Sequence, residues 1–169
     1  MLGFSIGAFT TLHVVLSLVG ITSGLIVVFG LVGNAQLPGW TVTFLASTAA
    51  TSVTGFLFHS KSLGPPHVVG FISLLVLAGA TVALYGMKVV GPWRLSYAIG
   101  AVLALYLNAF VGVTQAFQKI PSLKALAPTG SEAPFAATQL AVLVLFVCLG
   151  ALAAKRFRPR VSIDSGRLQ

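Results

Sequence analysis

The chain has 169 residues, of which 57% are hydrophobic and 7% charged, with a mean hydropathy of +1.01. Soluble domains carry roughly 25% charged residues, so ten Lys and Arg and two acids cannot cover a water-facing surface, and the chain must present apolar surface to lipid. The net charge of +8 does not signal nucleic acid, because five of the ten basic residues fall in the last fifteen positions and no basic groove interleaved with aromatics is visible.

The N-terminus, Met1-Leu2-Gly3-Phe4-Ser5, lacks the positive region of a signal peptide. The first apolar run, about 9–33, reads as a retained spanning helix. Thr10, His13, Ser17, Gly20 and Gly24 form one stripe along it, with a Gly-x-x-x-Gly step from Gly20 to Gly24. Asn34-Ala35-Gln36-Leu37-Pro38-Gly39 breaks the helix. A second helix is expected over 40–58, with Thr48, Ser52, Gly55 and His59 on one face. Antiparallel pairing across the short turn sets His13 near His59, Ser17 near Gly55, Gly20 near Ser52 and Gly24 near Thr48.

Ser60 to Pro66 is the next break, before a third helix over 67–88. Val89-Val90-Gly91-Pro92 separates it from a fourth over 95–118. On the fourth, Ala101, Ala104, Asn108 and Gln115 share a side with Gly112 adjacent; a mid-depth amide must face protein or a cavity. The longest connection holds Pro121 to Pro128, at most two turns lying at the membrane surface. Thr129-Gly130-Ser131-Glu132 reads as a capping box for a fifth helix over 135–154. That helix opens with Gln139 and carries Gly150 and Ala154 as a small-residue contact. The lone cysteine, Cys148, allows no intramolecular disulfide.

The expected architecture is therefore an all-α integral membrane bundle of about five spans, residues 1–154, with a basic cytoplasmic tail, 155–169. Seven Lys and Arg (Lys88, Arg94, Lys155, Arg156, Arg158, Arg160, Arg167) then lie inside and three (Lys61, Lys119, Lys124) outside. The excess favours N-out, C-in, and Trp40 and Trp93 fall at inner ends where an aromatic belt forms.

His13, Ser17, His59, His67, Asn108, Gln115, Gln139 and Glu132 gather in or beside the outer half of this scheme, a candidate ligand site opening outward. Facing imidazoles at His13 and His59, or His67, could ligate a metal ion or haem b. No Asp, Glu, Lys or Arg stands at mid-depth in any span, so coupled transport lacks its usual carboxylate. An oligomeric pore lined by Asn108, Gln115 and hydroxyls is an alternative. The two acids, Glu132 and Asp164, lie on opposite sides, so acid–base catalysis lacks a partnered pair. The reading favoured is a non-catalytic accessory subunit of a larger membrane complex, or a binder of a lipid or quinone, with a homo-oligomer allowed.

The segment YLNAFVGVTQAFQKIPSLKALAPTGSEAPF (Tyr106 to Phe135), together with LHVVLSLVGITSGL near the start and TSVTGF in the second helix, resembles a group of small, functionally uncharacterised bacterial multi-pass inner-membrane proteins. The resemblance implies a bacterial inner membrane and brings no activity, cofactor or binding residues.

Overall fold

The computed structural model describes residues 6–57 and 65–159, and every regular element among them is helical. α1 spans Ile6–Val32, α2 Pro38–Phe56, and α3 Pro65–Thr81, which runs on through one π-helical stretch, Val82–Gly86. α4 spans Trp93–Lys119, α5 Pro121–Leu126 and α6 Ala133–Arg156. A proline stands in the first turn of each of α2, α5 and α6, where a missing N–H has no helical bond to lose. α5 is the short proline-bounded helix expected in the longest connection.

Among the described residues, four segments are long and apolar enough to cross a membrane: Gly7–Val32, His67–Gly86, Trp93–Lys119 and Ala133–Arg156. The 19-residue α2 is not among them, because seven of its residues are Ser or Thr. Those hydroxyls mostly close back on their own helix. Thr43 donates to Gly39 O at 3.0 Å, Thr51 to Ser47 O at 2.9 Å, Ser52 to Thr48 O at 3.0 Å and Thr54 to Ala50 O at 2.8 Å. Most of the hydroxyls of α2 are thus satisfied without water, Thr48 excepted.

α1 and α2 pack antiparallel, one helical turn away from the expected register. A methyl group on Gly20 would stand 3.0 Å from Thr48 Oγ1, one on Gly24 would stand 2.8 Å from the Phe44 ring, and one on Gly55 would stand 3.8 Å from His13 Cε1. Gly20 therefore meets Thr48 rather than Ser52, Gly24 meets Phe44 rather than Thr48, and Gly55 meets His13 rather than Ser17. The expected His13–His59 pairing lies outside the described residues, since His59 is not among them. The cause of the shift is how α1 ends. Asn34 adopts φ 59° and donates to Leu31 O at 3.1 Å, while Ala35 donates to Gly30 O at 2.8 Å. This is a Schellman cap with Asn at the left-handed position, and it reverses the chain at Asn34, earlier than a turn centred on Gln36.

α4 is the central helix, packing on α1, α3 and α6. Tyr97, Ala98, Ala101, Val102, Ala104, Leu105, Asn108 and Phe117 are its buried residues. Their small members let neighbours approach: a methyl group on Gly100 would stand 3.1 Å from Ala80 Cβ on α3. α6 runs antiparallel to α4, with Phe117 edge-on to Phe135 at 5.4 Å and Tyr106 against Phe146 at 5.8 Å. Large apolar side chains cover the outside, with Phe29, Leu140 and Val147 about 60% exposed. Such a surface is unfavourable in water and suited to lipid.

Candidate functional site

The expected polar residues serve chiefly as ties between helices. At the α1–α2–α4 junction, Ser17 donates to Asn108 Oδ1 at 2.9 Å. A methyl group on Gly20 would stand 2.8 Å from Asn108 Nδ2, so only glycine at that position lets the amide seat against α1. Asn108 is 5% exposed, as a mid-helix amide in lipid requires. Its Nδ2 and the Thr48 hydroxyl are buried without a hydrogen-bond partner among the described residues.

One turn along α1, His13 Nδ1 and the Thr54 hydroxyl are 2.8 Å apart. Thr54 also donates to Ala50 O, so both bonds form together when the His13 ring donates. His67 stacks at a tilt on Phe56, 5.8 Å between ring centres. Gln139 reaches from α6 to α4, donating to Phe110 O at 3.1 Å and Thr114 Oγ1 at 3.2 Å. Gln115 is half-buried on α4. Among the described residues no group of three or more His, Cys, Asp or Glu side chains converges as a metal site requires.

Glu132 forms only half of the expected capping box. Its carboxylate accepts the Thr129 N–H at 3.0 Å, the Thr129 hydroxyl at 2.9 Å and the Ser131 N–H at 3.0 Å. The reciprocal bond from Thr129 into the helix is missing, because Gly130 takes φ 74° and α6 begins only at Ala133. The backbone N–H of Thr129 leads the hydrogen bonds that hold this surface carboxyl at a pKa of about 2, well below its ordinary value.

The opposite end of the bundle carries a network that the sequence reading missed. Arg94, at the start of α4, donates through Nη1 to Ala154 O at 3.3 Å and Phe157 O at 2.7 Å. These are carbonyls at the end of α6, where a cation complements the helix dipole. Phe157 is fully buried against Tyr97, 5.9 Å between ring centres. The Arg158 N–H then bonds Asn34 Oδ1 at 2.7 Å, which ties the end of α6 to the cap of α1. Lys155, Arg156 and Arg158 are exposed around this junction, and Arg94 is half-buried within it.

Between α4 and α6 lies a groove of about 360 Å³. Ile99, Val102, Leu103 and Tyr106 line it from α4. Leu143, Phe146 and Val147 line it from α6, followed by the small residues Gly150, Ala151 and Ala154. Gly150 and Ala154, expected as a small-residue contact, both border this groove. A methyl group on Gly150 would be only in ordinary contact with Val102, at 3.5 Å, and the missing side-chain volume opens the groove. Apart from the Tyr106 hydroxyl its side chains are hydrocarbon, and its volume is at the lower end of the roughly 300–1,000 Å³ of small-molecule sites. Of the residues singled out in the sequence, only the packing pair Gly150 and Ala154 borders it, and none of the candidate ligand residues does. The signal available in sequence was the Gly150, Ala151, Ala154 run facing an aliphatic face of α4.

No protein-family profile, curated protein or solved structure matches this chain.

Proposed function

We propose that this chain is a non-catalytic multi-pass protein of the bacterial inner membrane that binds an apolar ligand, a lipid or a quinone, along α4 and α6, alone or as a subunit of a larger membrane complex. It crosses five times, α2 included, with its N-terminus outside and its C-terminus in the cytoplasm. The observation that carries the reading is the hydrocarbon-lined α4–α6 groove, which opens on the lipid-facing side of the bundle. α6 supplies half of that groove, and only 11% of its most apolar stretch is buried, against 39% for α4.

The remaining polar chemistry supports binding over catalysis. Glu132, one of two acids in the chain, is engaged by its own loop. Asn108, Ser17 and Gln139 are joined across helix interfaces. The orientation is supported by Lys88, Arg94, Lys155, Arg156 and Arg158, which follow the positive-inside rule if the basic end is cytoplasmic.

The test is organic extraction of protein purified in mild detergent, followed by mass spectrometry of the extract. About one lipid or quinone per chain is expected beyond the detergent belt. Gly150→Leu, which fills the groove, is expected to lower that yield about tenfold, a difference of 1.4 kcal/mol, while far-UV circular dichroism shows the helices intact. Equal yields from both proteins would rule the reading out.

A further inference from the structure

The groove is apolar along its length but not at both ends. In the middle of the bundle it stops at Tyr106 and Leu143. At the basic end it runs out at Ala154, whose carbonyl already accepts Arg94 Nη1. Leu143, Val147 and Ala151 form one i, i+4 row of α6, and the next residue in that row is Lys155. An ammonium therefore continues the groove lining by one turn, with a guanidinium on the facing helix.

Arg94 uses Nη1 for both of its bonds, although a guanidinium carries five N–H donors. Its Nε and Nη2 meet no acceptor among the described residues. Lys88, Arg94, Lys155, Arg156 and Arg158 all stand at this end, with no described carboxylate beside them. Glu132, the only acid described, precedes α6 at its far end, and a helix of 24 residues is about 36 Å long. The cations at the groove mouth thus lack a counter-charge within the described chain.

We propose that the occupant of the groove is an anionic phospholipid, with one acyl chain between α4 and α6 and its phosphate held by Arg94 and Lys155. The proposal rests on the reading of the groove as an apolar-ligand site. A free inorganic anion would gain nothing from the hydrocarbon lining. A zwitterionic phospholipid would bring its own cation to a cluster that is already positive. A net-negative phospholipid matches both parts, as in the basic pockets between helices that bind acidic headgroups. Arg94 then links the lipid to the fold, since the guanidinium that meets the phosphate also holds the end of α6.

The test is native mass spectrometry of the purified full-length chain with dioleoyl phosphatidylglycerol or dioleoyl phosphatidylethanolamine, which share acyl chains and differ in net charge. One retained phosphatidylglycerol is expected, favoured about tenfold over phosphatidylethanolamine, with the preference falling as salt is raised. Lys155→Gln is expected to erase most of the preference without releasing the acyl-chain site. Gly150→Leu is expected to lose both lipids. Equal retention of the two lipids by the unmodified chain would overturn the anionic assignment and leave the apolar-site reading standing. A preference unchanged in Lys155→Gln would overturn the placement of the phosphate at Lys155. Retention of neither lipid would overturn both.

Discussion

Ser17 and Asn108 join α1 to the middle of α4 through a 2.9 Å hydrogen bond, made where Gly20 leaves room for the amide. Interhelical hydrogen bonds in membrane bundles average about 0.6 kcal/mol and reach about 1.7. Ser17→Ala is therefore expected to cost about 1 kcal/mol. Gly20→Ala is expected to cost more, about 1–3 kcal/mol, because its methyl would press on Asn108 Nδ2 at 2.8 Å and Thr48 Oγ1 at 3.0 Å. Adding Asn108→Ala to Gly20→Ala removes the closer of the two contacts, so the double variant should lose less than the sum of the singles. Thermal unfolding in detergent of the wild type, the three single variants and the double variant checks this, and strict additivity would show that the amide does not sit over Gly20.

Gly24 gives a sharper contrast. A methyl there would stand 2.6 Å from Leu105 Cδ1 and 2.8 Å from the Phe44 ring, both fully buried. Gly24→Ala is expected to destabilise by about 1–3 kcal/mol. At Gly79 nothing stands within 4 Å of the added methyl. Gly79→Ala is then expected to be neutral or to stabilise by up to about 1 kcal/mol, from helix propensity. The same unfolding assay compares them, and a similar loss in both would contradict the packing at Gly24.

Much of this fold is legible in sequence, and what is not has identifiable causes. The helix ends are readable because Pro38, Pro65, Pro92 and Pro121 each stop or start a helix by local chemistry. The α1–α2 register is not readable to within a turn. It depends on which residue of the connection turns left-handed, and Gly33 and Asn34 are both candidates; Asn34 takes the role. The burial of Asn108 follows from its cost in lipid, but its partner Ser17 is 91 positions away. Arg94 was visible as a topology charge. Its bonds to Ala154 and Phe157 depend on the end of α6 coming to rest beside the start of α4, and no local pattern encodes that.

The Asn34 cap separates two contributions that one substitution can mix. Asn34→Gly keeps the left-handed turn and removes the bond from Arg158, so it should cost no more than about 1.5 kcal/mol. Asn34→Ala removes the same bond and also strains the backbone at φ 59°, adding about 1–2 kcal/mol. The order wild type, Gly, Ala is expected in thermal stability. An alanine variant as stable as the glycine variant would show that the left-handed conformation carries no cost.

Glu132 makes a pH prediction whose sign follows from its hydrogen bonds. The folded carboxyl titrates at about 2, below its ordinary 4.5. A depressed folded pKa contributes stability that is fully present above 4.5 and is lost as pH falls toward 2. The loop at Thr129–Ser131 should therefore loosen between pH 4.5 and 2, seen as faster amide hydrogen exchange at Thr129 and Ser131 after correction for intrinsic rates. Glu132→Gln should show that loosened loop at every pH, with the acid dependence gone. A variant that keeps the same acid dependence would place its origin elsewhere.

The number of crossings depends on α2, at about 28 Å marginally shorter than a hydrocarbon core of about 30 Å. If α2 lay in the interface, four crossings would put both termini on one side; five put them on opposite sides. Two contacts favour five. His13 meets Thr54 at the start of α1, and Arg158 meets Asn34 at its end, so α2 runs the length of α1 and α6 returns to the end that α2 leaves. The seven hydroxyl residues of α2 do not oppose this, since its helix and neighbours take up most of their hydrogen bonds. A periplasm-active phosphatase fused at the N-terminus or inserted after Gly130 should be active, and one fused at the C-terminus inactive. A fluorescent protein that matures only in the cytoplasm should report the reverse. Both termini reporting the same side would remove α2 from the membrane core, and both reporting the outside would also overturn the cytoplasmic assignment of the basic end.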